Sequence, residues 1–201
     1  MISIIVLVTT YYLILFLLKS KEKIILALKE LIESSEMPPI STKNIARQAN
    51  YSEAMIYQNF RSKHELMTSL LNHHKESIAS IKDTTDKNSS LSSIKIKNFI
   101  KEIFRYAEKK YSFVYLIMFE PRDNSEKNYK TSLYEFNSYL EGIFKEYLRG
   151  YVLEPKASRY PEDTLLNSII SFIYGQFNLY RLDKKKIPSL RLDIRLDKLI
   201  W

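Results

Sequence analysis

Lys43, Arg47, Arg61 and Lys63 surround a stretch in which Glu53 is the only acid between Ser41 and Lys63. Thr42 and Tyr57 add hydroxyls suited to phosphate oxygens. Lys63 opens a helix, where its charge and the exposed amides both attract a phosphate. Side chains of these types suit a polyanion. Their plain structural roles are second cap residue for Thr42, core-edge aromatic for Tyr57 and solvated lysine for Lys63. An enzyme would need a nucleophile with its base, or a metal set, and no such spacing is present. Glu120, Asp123 and Glu126 read as a solvated loop. His73 and His74 are adjacent on a helix and point about 100° apart, so they form no metal pair. No catalytic residue, metal or cofactor is expected.

The elements that must position these groups lie within residues 41–66, STKNIARQANYSEAMIYQNFRSKHEL. Ser41 is a good N-cap, and Ile45 with Ala49 gives one turn of apolar spacing, so a short helix is predicted over 42–49. Asn50 tolerates the left-handed conformation that stops a helix sharply. Ser52 supplies a fresh N-cap, and Ile56 and Phe60, four apart, anchor a second short helix. Ser62 with Glu65 is a capping box that opens a longer third helix through Leu70 and Leu71. Two stubby helices with a tight joint meet the requirement for a helix-turn-helix. The first braces across the DNA backbone and the second presents its N-terminal side chains to the major groove.

This stretch resembles the DNA-binding segment of the tetracycline-repressor (TetR) family. The matching residues are Ser41-Thr42 before Ile45-Ala46, then Ala49, Ser52, Ala54, Ile56-Tyr57, Phe60, Ser62-Lys63 and Glu65-Leu66. Departures are Asn50 where the family usually has Gly, Asn59 where it often has His, and His64 where an acid is common. Asn adopts the backbone shape of Gly at modest cost, so the fold stands. The resemblance implies phosphate contacts for Thr42, Tyr57 and Lys63. Lys43, Glu53, Ala54 and Met55 match positions from which the family reaches base edges. Glu53 suits a cytosine amino group, Ala54 and Met55 a thymine methyl, and Lys43 a guanine. Gln58 and Asn59 lie further along and are expected to touch the DNA backbone. With the caps Ser41 and Ser52, these residues make up the expected DNA-binding set; Ile56 and Phe60 are core.

The chain has 201 residues, 45% of them hydrophobic, with three Gly and no Cys. Scarce Gly argues against a turn-rich β architecture and against a phosphate-cradling Gly loop. Lack of Cys removes any disulfide framework or thiolate site and fits a reducing cytoplasm. A net charge of +8 and a pI near 9.4 suit a polyanion partner, though a basic soluble protein has the same charge.

Residues 1–18, MISIIVLVTTYYLILFLL, carry no charge and reach the lower limit for spanning a bilayer. Lys19, Lys21 and Lys23 follow, which by the positive-inside rule leaves the remainder in the cytoplasm. No cleavage site or basic n-region marks a secretory signal. The competing origin is a translation start assigned too far upstream in AT-rich DNA. The expectation is a cytoplasmic protein, with tethering through residues 1–18 as the other arrangement.

Residues 19–36 read as the first helix, with Ile24, Ile25, Leu28, Leu31 and Ile32 on one stripe, stopped by Met37-Pro38-Pro39. Leu66, Met67, Leu70, Leu71, Ile78 and Ile81 mark the helix that leaves the DNA-binding unit. Residues 82–93, KDTTDKNSSLSS, are polar and unpatterned and are expected to form a flexible loop. Ile96, Phe99, Ile100, Ile103, Phe104 and Ala107 recur at helical spacing. Residues 113–119 are continuously apolar and fit a buried helix in this neighbourhood, or a strand taken alone. Leu133, Phe136, Leu140, Ile143, Phe144, Tyr147 and Leu148 mark a long helix ending near Gly150. Another, over 161–182, is apolar on nearly every side, with Gly175 permitting close backbone approach. Residues 189–197, SLRLDIRLD, alternate like a strand, while Leu192, Leu196 and Leu199 also fit a helix; family resemblance favours helix.

The expected architecture is all-α. Residues 1–18 are an apolar segment, 19–66 a three-helix helix-turn-helix DNA-binding domain, and 67–201 a helical ligand-binding and dimerisation domain. In the family, the last two helices pair with a twin subunit, which implies a homodimer on a palindromic double-stranded DNA operator. The resemblance further implies a repressor released by a small-molecule effector. Phe113, Tyr115, Met118, Phe119, Tyr174 and Phe177 could line an apolar pocket, with plain core packing as the simpler role. A membrane-anchored sensor carrying a DNA-binding head is the alternative.

Overall fold

The structure is a computed structural model. It describes residues 2–34, 39–119, 127–155, 157 and 160–184, with the backbone alone for 2–17. The fold is all-α: α1 (Ile2–Glu33), α2 (Thr42–Ala49), α3 (Glu53–Asn59), α4 (Lys63–Asn88), α5 (Ser92–Lys109), α6 (Tyr111–Ile117), α7 (Lys127–Tyr151) and α8 (Glu162–Leu182). The chain divides inside α4 into two compact units, Met1–Leu70 and Leu71–Trp201.

The first unit is a three-helix cluster closed by the start of α4. Ile24, Ala27, Leu28, Leu31 and Ile32 of α1 pack with Ile45, Ala46 and Ala49 of α2, Ile56 of α3, Phe60, and Leu66, Met67 and Leu70 of α4. Ala27 takes the place on the stripe expected of Ile25, which is only half-buried. A helix start near Lys19 is not found. Backbone hydrogen bonding runs without a break from Ile2 to Glu33, since nothing between Leu18 and Ser20 stops a helix. Side chains of residues 1–17, on which the membrane expectation rests, lie outside the described residues. Among the described residues no helix is long and apolar enough to cross a membrane.

In the second unit α5 buries Ile96, Phe99, Ile100, Ile103, Phe104 and Ala107 against the inner faces of α7 and α8. Aromatic rings fill the centre edge to face, with Phe113 of α6 at 5.8 Å from Phe136 and 5.7 Å from Phe177. The apolar run at 113–119 is a helix as far as Ile117, so α6 replaces the strand alternative. His74 is buried, its Nδ1 2.6 Å from the Tyr106 hydroxyl and its Nε2 3.2 Å from Ser112 Oγ. Both ring nitrogens are thus satisfied by core hydroxyls.

The loop expected after Ile81 is corrected in part. Residues 82–88 are not a loop: α4 continues to Asn88 and only Ser89, Ser90 and Leu91 separate it from α5. Lys82 Nζ bridges Asp86 on its own helix at 2.7 Å and Glu146 on α7 at 3.2 Å, and Lys95 of α5 reaches Asp86 at 3.1 Å. Thr84 and Thr85 turn their hydroxyls back onto the carbonyls of Ser80 and Ile81. Within the chain it is Gly150 that is closely approached, by the Ser92 side chain. A Cβ at Gly150 would stand 2.1 Å from Ser92 Oγ, whereas one at Gly175 would meet nothing within 4 Å. The α8 helix buries Leu165, Leu166, Ile169, Ile173, Phe177 and Tyr180 and leaves Leu179 and Leu182 exposed. The segments at 120–126 and 189–197 lie outside the described residues.

Candidate nucleic-acid interface

The joint between α2 and α3 is built from short-range hydrogen bonds. Ser41 caps α2, its Oγ accepting from the Asn44 amide at 3.2 Å. Asn50 ends the helix in the left-handed region (φ 54, ψ 47), and the amides of Asn50 and Tyr51 donate to the carbonyls of Arg47 and Ala46. This double closure lets the chain reverse within a few residues. Ser52 then caps α3, its Oγ accepting from the Met55 amide at 3.2 Å. At α4 the Ser62 half of the capping box forms, and Glu65 reaches back to the residue before the cap. Ser62 Oγ accepts from the Glu65 amide at 3.1 Å, and Glu65 Oε2 accepts from the Arg61 amide at 2.6 Å.

Helical spacing sorts the side chains of α3 into two faces. Ile56 and Phe60 point into the core. Glu53, Ala54, Tyr57 and Gln58 are exposed on the other side, Tyr57 to 56%. Met55 is half-buried between the two. Of the remaining expected residues, Lys43 and Ser52 are exposed, while Ser41, Thr42 and Lys63 are half-buried at helix starts. Thr42 donates to Glu53 Oε2 at 2.9 Å, and the Tyr57 hydroxyl donates to Thr42 Oγ1 at 3.5 Å. These three side chains are therefore one cluster.

Asn59 does not belong with them. It is 5% exposed and sits on the inner face beside Phe60. Its Oδ1 accepts from Ser20 Oγ at 2.8 Å, and its Nδ2 donates to the Met55 carbonyl at 2.9 Å. With both ends of the amide engaged in the core, Asn59 is withdrawn from the DNA-contacting set. Its position three after Ile56 already placed it on the core side.

Ser20 is a residue that sequence reasoning passed over. It stands four before Ile24, so it continues the buried stripe of α1, and its hydroxyl fixes the inner face of α3. Lys23 lies 4.6 Å from the Tyr51 ring centroid, over the joint, and Lys21 5.7 Å from that of Phe60, at the end of α3. Gln48 donates to Glu30 at 2.8 Å and ties α2 to α1.

In the second unit a polar cleft of about 510 Å³ lies between α4 and α5, lined by Ser80, Thr84, Asn88, Asn98 and Glu102 among others. Phe113 and Phe177, expected as pocket or core, are wholly buried against one another.

Residues 24–70 match the model of the bacterial regulatory proteins, tetR family. The nucleoid occlusion factor SlmA of Aliivibrio fischeri (strain MJ11) is 26% identical over 172 residues, spanning 84% of this chain and 88% of that protein. Among solved structures, the transcriptional regulator FadR from Bacillus subtilis in complex with stearoyl-CoA superposes with a TM-score of 0.69. It is 15% identical, over 89% of this chain and 97% of that one. A TetR transcriptional regulator from Legionella pneumophila gives 0.67 at 23% identity, over 90% and 97%. At those identities the superpositions establish a shared fold.

Proposed function

We propose that this chain, whose residues 24–70 match the tetR family of bacterial regulatory proteins, is a ligand-released repressor, acting in the cytoplasm as a homodimer on a palindromic operator. One observation carries the DNA-reading part. The outer face of α3 offers Glu53, Ala54, Tyr57 and Gln58 to solvent while Ile56 and Phe60 hold the opposite face in the core. A short helix held from behind, with polar side chains near its N-terminus, suits the major groove.

Within that reading Glu53, Ala54 and Met55 face base edges, joined by Lys43 from α2. Tyr57, Lys63 and Gln58 take phosphates, and Ser41, Thr42 and Ser52 shape the two helix starts that approach the backbone. One such head reads too few base pairs for useful specificity, so a second copy about one helical repeat away is required. The exposed side of α8, with Leu179 and Leu182, supports pairing with that copy. Effector release is supported by the ligand present in the FadR structure.

The likeness to SlmA over most of the chain favours a second reading, a DNA-binding factor of nucleoid occlusion. Sequencing genomic fragments captured by the purified protein separates the two. A few sites beside promoters support the repressor; many sites scattered over the chromosome support the second reading. Indifference to every duplex in low salt removes both.

A further inference from the structure

Thr42 is the first residue of α2 and Glu53 the first of α3, and their side chains meet across the joint. The Thr42 hydroxyl donates to Glu53 Oε2 at 2.9 Å, and Thr42 Oγ1 in turn lies 3.5 Å from the Tyr57 hydroxyl. A threonine hydroxyl has one proton, and a phosphate oxygen can only accept. While Glu53 holds that proton, Thr42 has none to give to the DNA backbone.

We propose that Thr42 is a positioning residue for sequence readout. Its hydroxyl fixes one oxygen of the Glu53 carboxylate, so that the other accepts from the exocyclic amino group of a cytosine in the major groove. This rests on the DNA-reading function proposed above and assigns Thr42 a different task from the phosphate contact expected of it.

Electrostatics supports the assignment. Glu53 is the single acid in the stretch from Ser41 to Lys63, and a carboxylate carried toward DNA is repelled by the phosphates on either side. It favours binding only where it meets a donor, and in the major groove cytosine N4 is the natural donor to a carboxylate. A free glutamate side chain would spread over many rotamers and discriminate weakly. Tethered to α2, it stays at the tip of the recognition helix, attractive toward one base and repulsive toward acceptor-bearing alternatives.

The test is selection of bound sequences from a randomised duplex pool, run with the wild type, Glu53→Ala, Thr42→Val and Thr42→Ser, each checked for helical content. The wild type should enrich cytosine at one position of each half-site, and Glu53→Ala should lose that preference. Thr42→Val keeps the side-chain shape and removes the proton. It should reduce the same preference by about ten-fold, the scale of one good base contact, and leave the other positions unchanged. Thr42→Ser should retain it. Thr42→Ala replaces the valine variant if that one does not fold. Uniformly weaker binding of Thr42→Val with cytosine preference intact overturns the proposal and returns Thr42 to phosphate binding. A wild type that binds no duplex overturns the DNA-reading function itself, a distinct result.

Discussion

Ser20 of α1 donates a hydrogen bond to Asn59 of α3 at 2.8 Å, and both side chains are buried. The bond spans 39 residues of chain and sets α3 against the long first helix. Ser20→Ala leaves a buried amide oxygen without its donor, at a cost of about 1–3 kcal/mol. Asn59→Leu removes the amide as well, so the double variant should recover part of the loss. Chemical denaturation of the four proteins gives the coupling directly; strictly additive losses would count against the bond.

Asn50 is the one non-glycine residue with positive φ among the described residues. Asn50→Gly should be neutral or slightly stabilising, because glycine takes this conformation without a Cβ penalty. Asn50→Val should destabilise by about 1–2 kcal/mol and loosen the joint. Thermal unfolding with DNA-binding measurements on both variants checks the pair, and equal behaviour would show that the left-handed cap is unimportant.

Tyr57→Phe and Lys63→Ala should weaken binding to operator and to random duplex by similar factors, since phosphate contacts carry no sequence information. Lys63→Ala should also flatten the dependence of log affinity on log salt by about one charge. Met55→Ala should instead change which operator variants are preferred. Anisotropy titrations at several salt concentrations distinguish these patterns.

The Lys82–Asp86 pair predicts a pH dependence with a definite sign. Burial pushes the Asp86 carboxyl up, but hydrogen bonds from Lys82 and Lys95 outweigh it and hold the group below its ordinary value of 3.8. A depressed folded-state pKa contributes stability above the unfolded value, lost as pH falls through the folded one. Asp86 and then Glu146 hold Lys82 above its ordinary 10.5, against the desolvation that lowers it. Its contribution is therefore complete below the unfolded value and lost as pH rises through the folded one. Asp86→Asn should cost about 1 kcal/mol or less at neutral pH, because the pair is partly solvated. The difference from wild type should shrink in strong acid. A difference that stays constant from neutral pH into acid would remove the pair from the stability of α4.

The joint was legible in the sequence because every part of it is local. Ser41, Asn50, Ser52 and the Ser62 cap each act within three or four residues, and each forms as its residue type predicts. The core stripes of α5 and α7 were legible for the same reason. Residues 82–88 were not, since Thr, Asp and Asn have weak intrinsic helix preference. What holds them helical includes Glu146, which is 64 residues away, and Lys95 across the turn. Asn59 was misplaced because its family position outweighed its place on the helix face. The Thr42–Glu53 bond joins two helix starts, and no pattern within either helix announces it.

The unbroken backbone of α1 through Lys19 has a mechanical consequence for any shortened version of the chain. Begun at Lys19, the helix would have Ser20 in its opening turn, where amides find no acceptor four residues back and the ends unravel. The hydroxyl that steadies Asn59 would then hang from a fraying end. A chain trimmed to Lys19 is therefore expected to hold α3 less firmly than the full-length helix does.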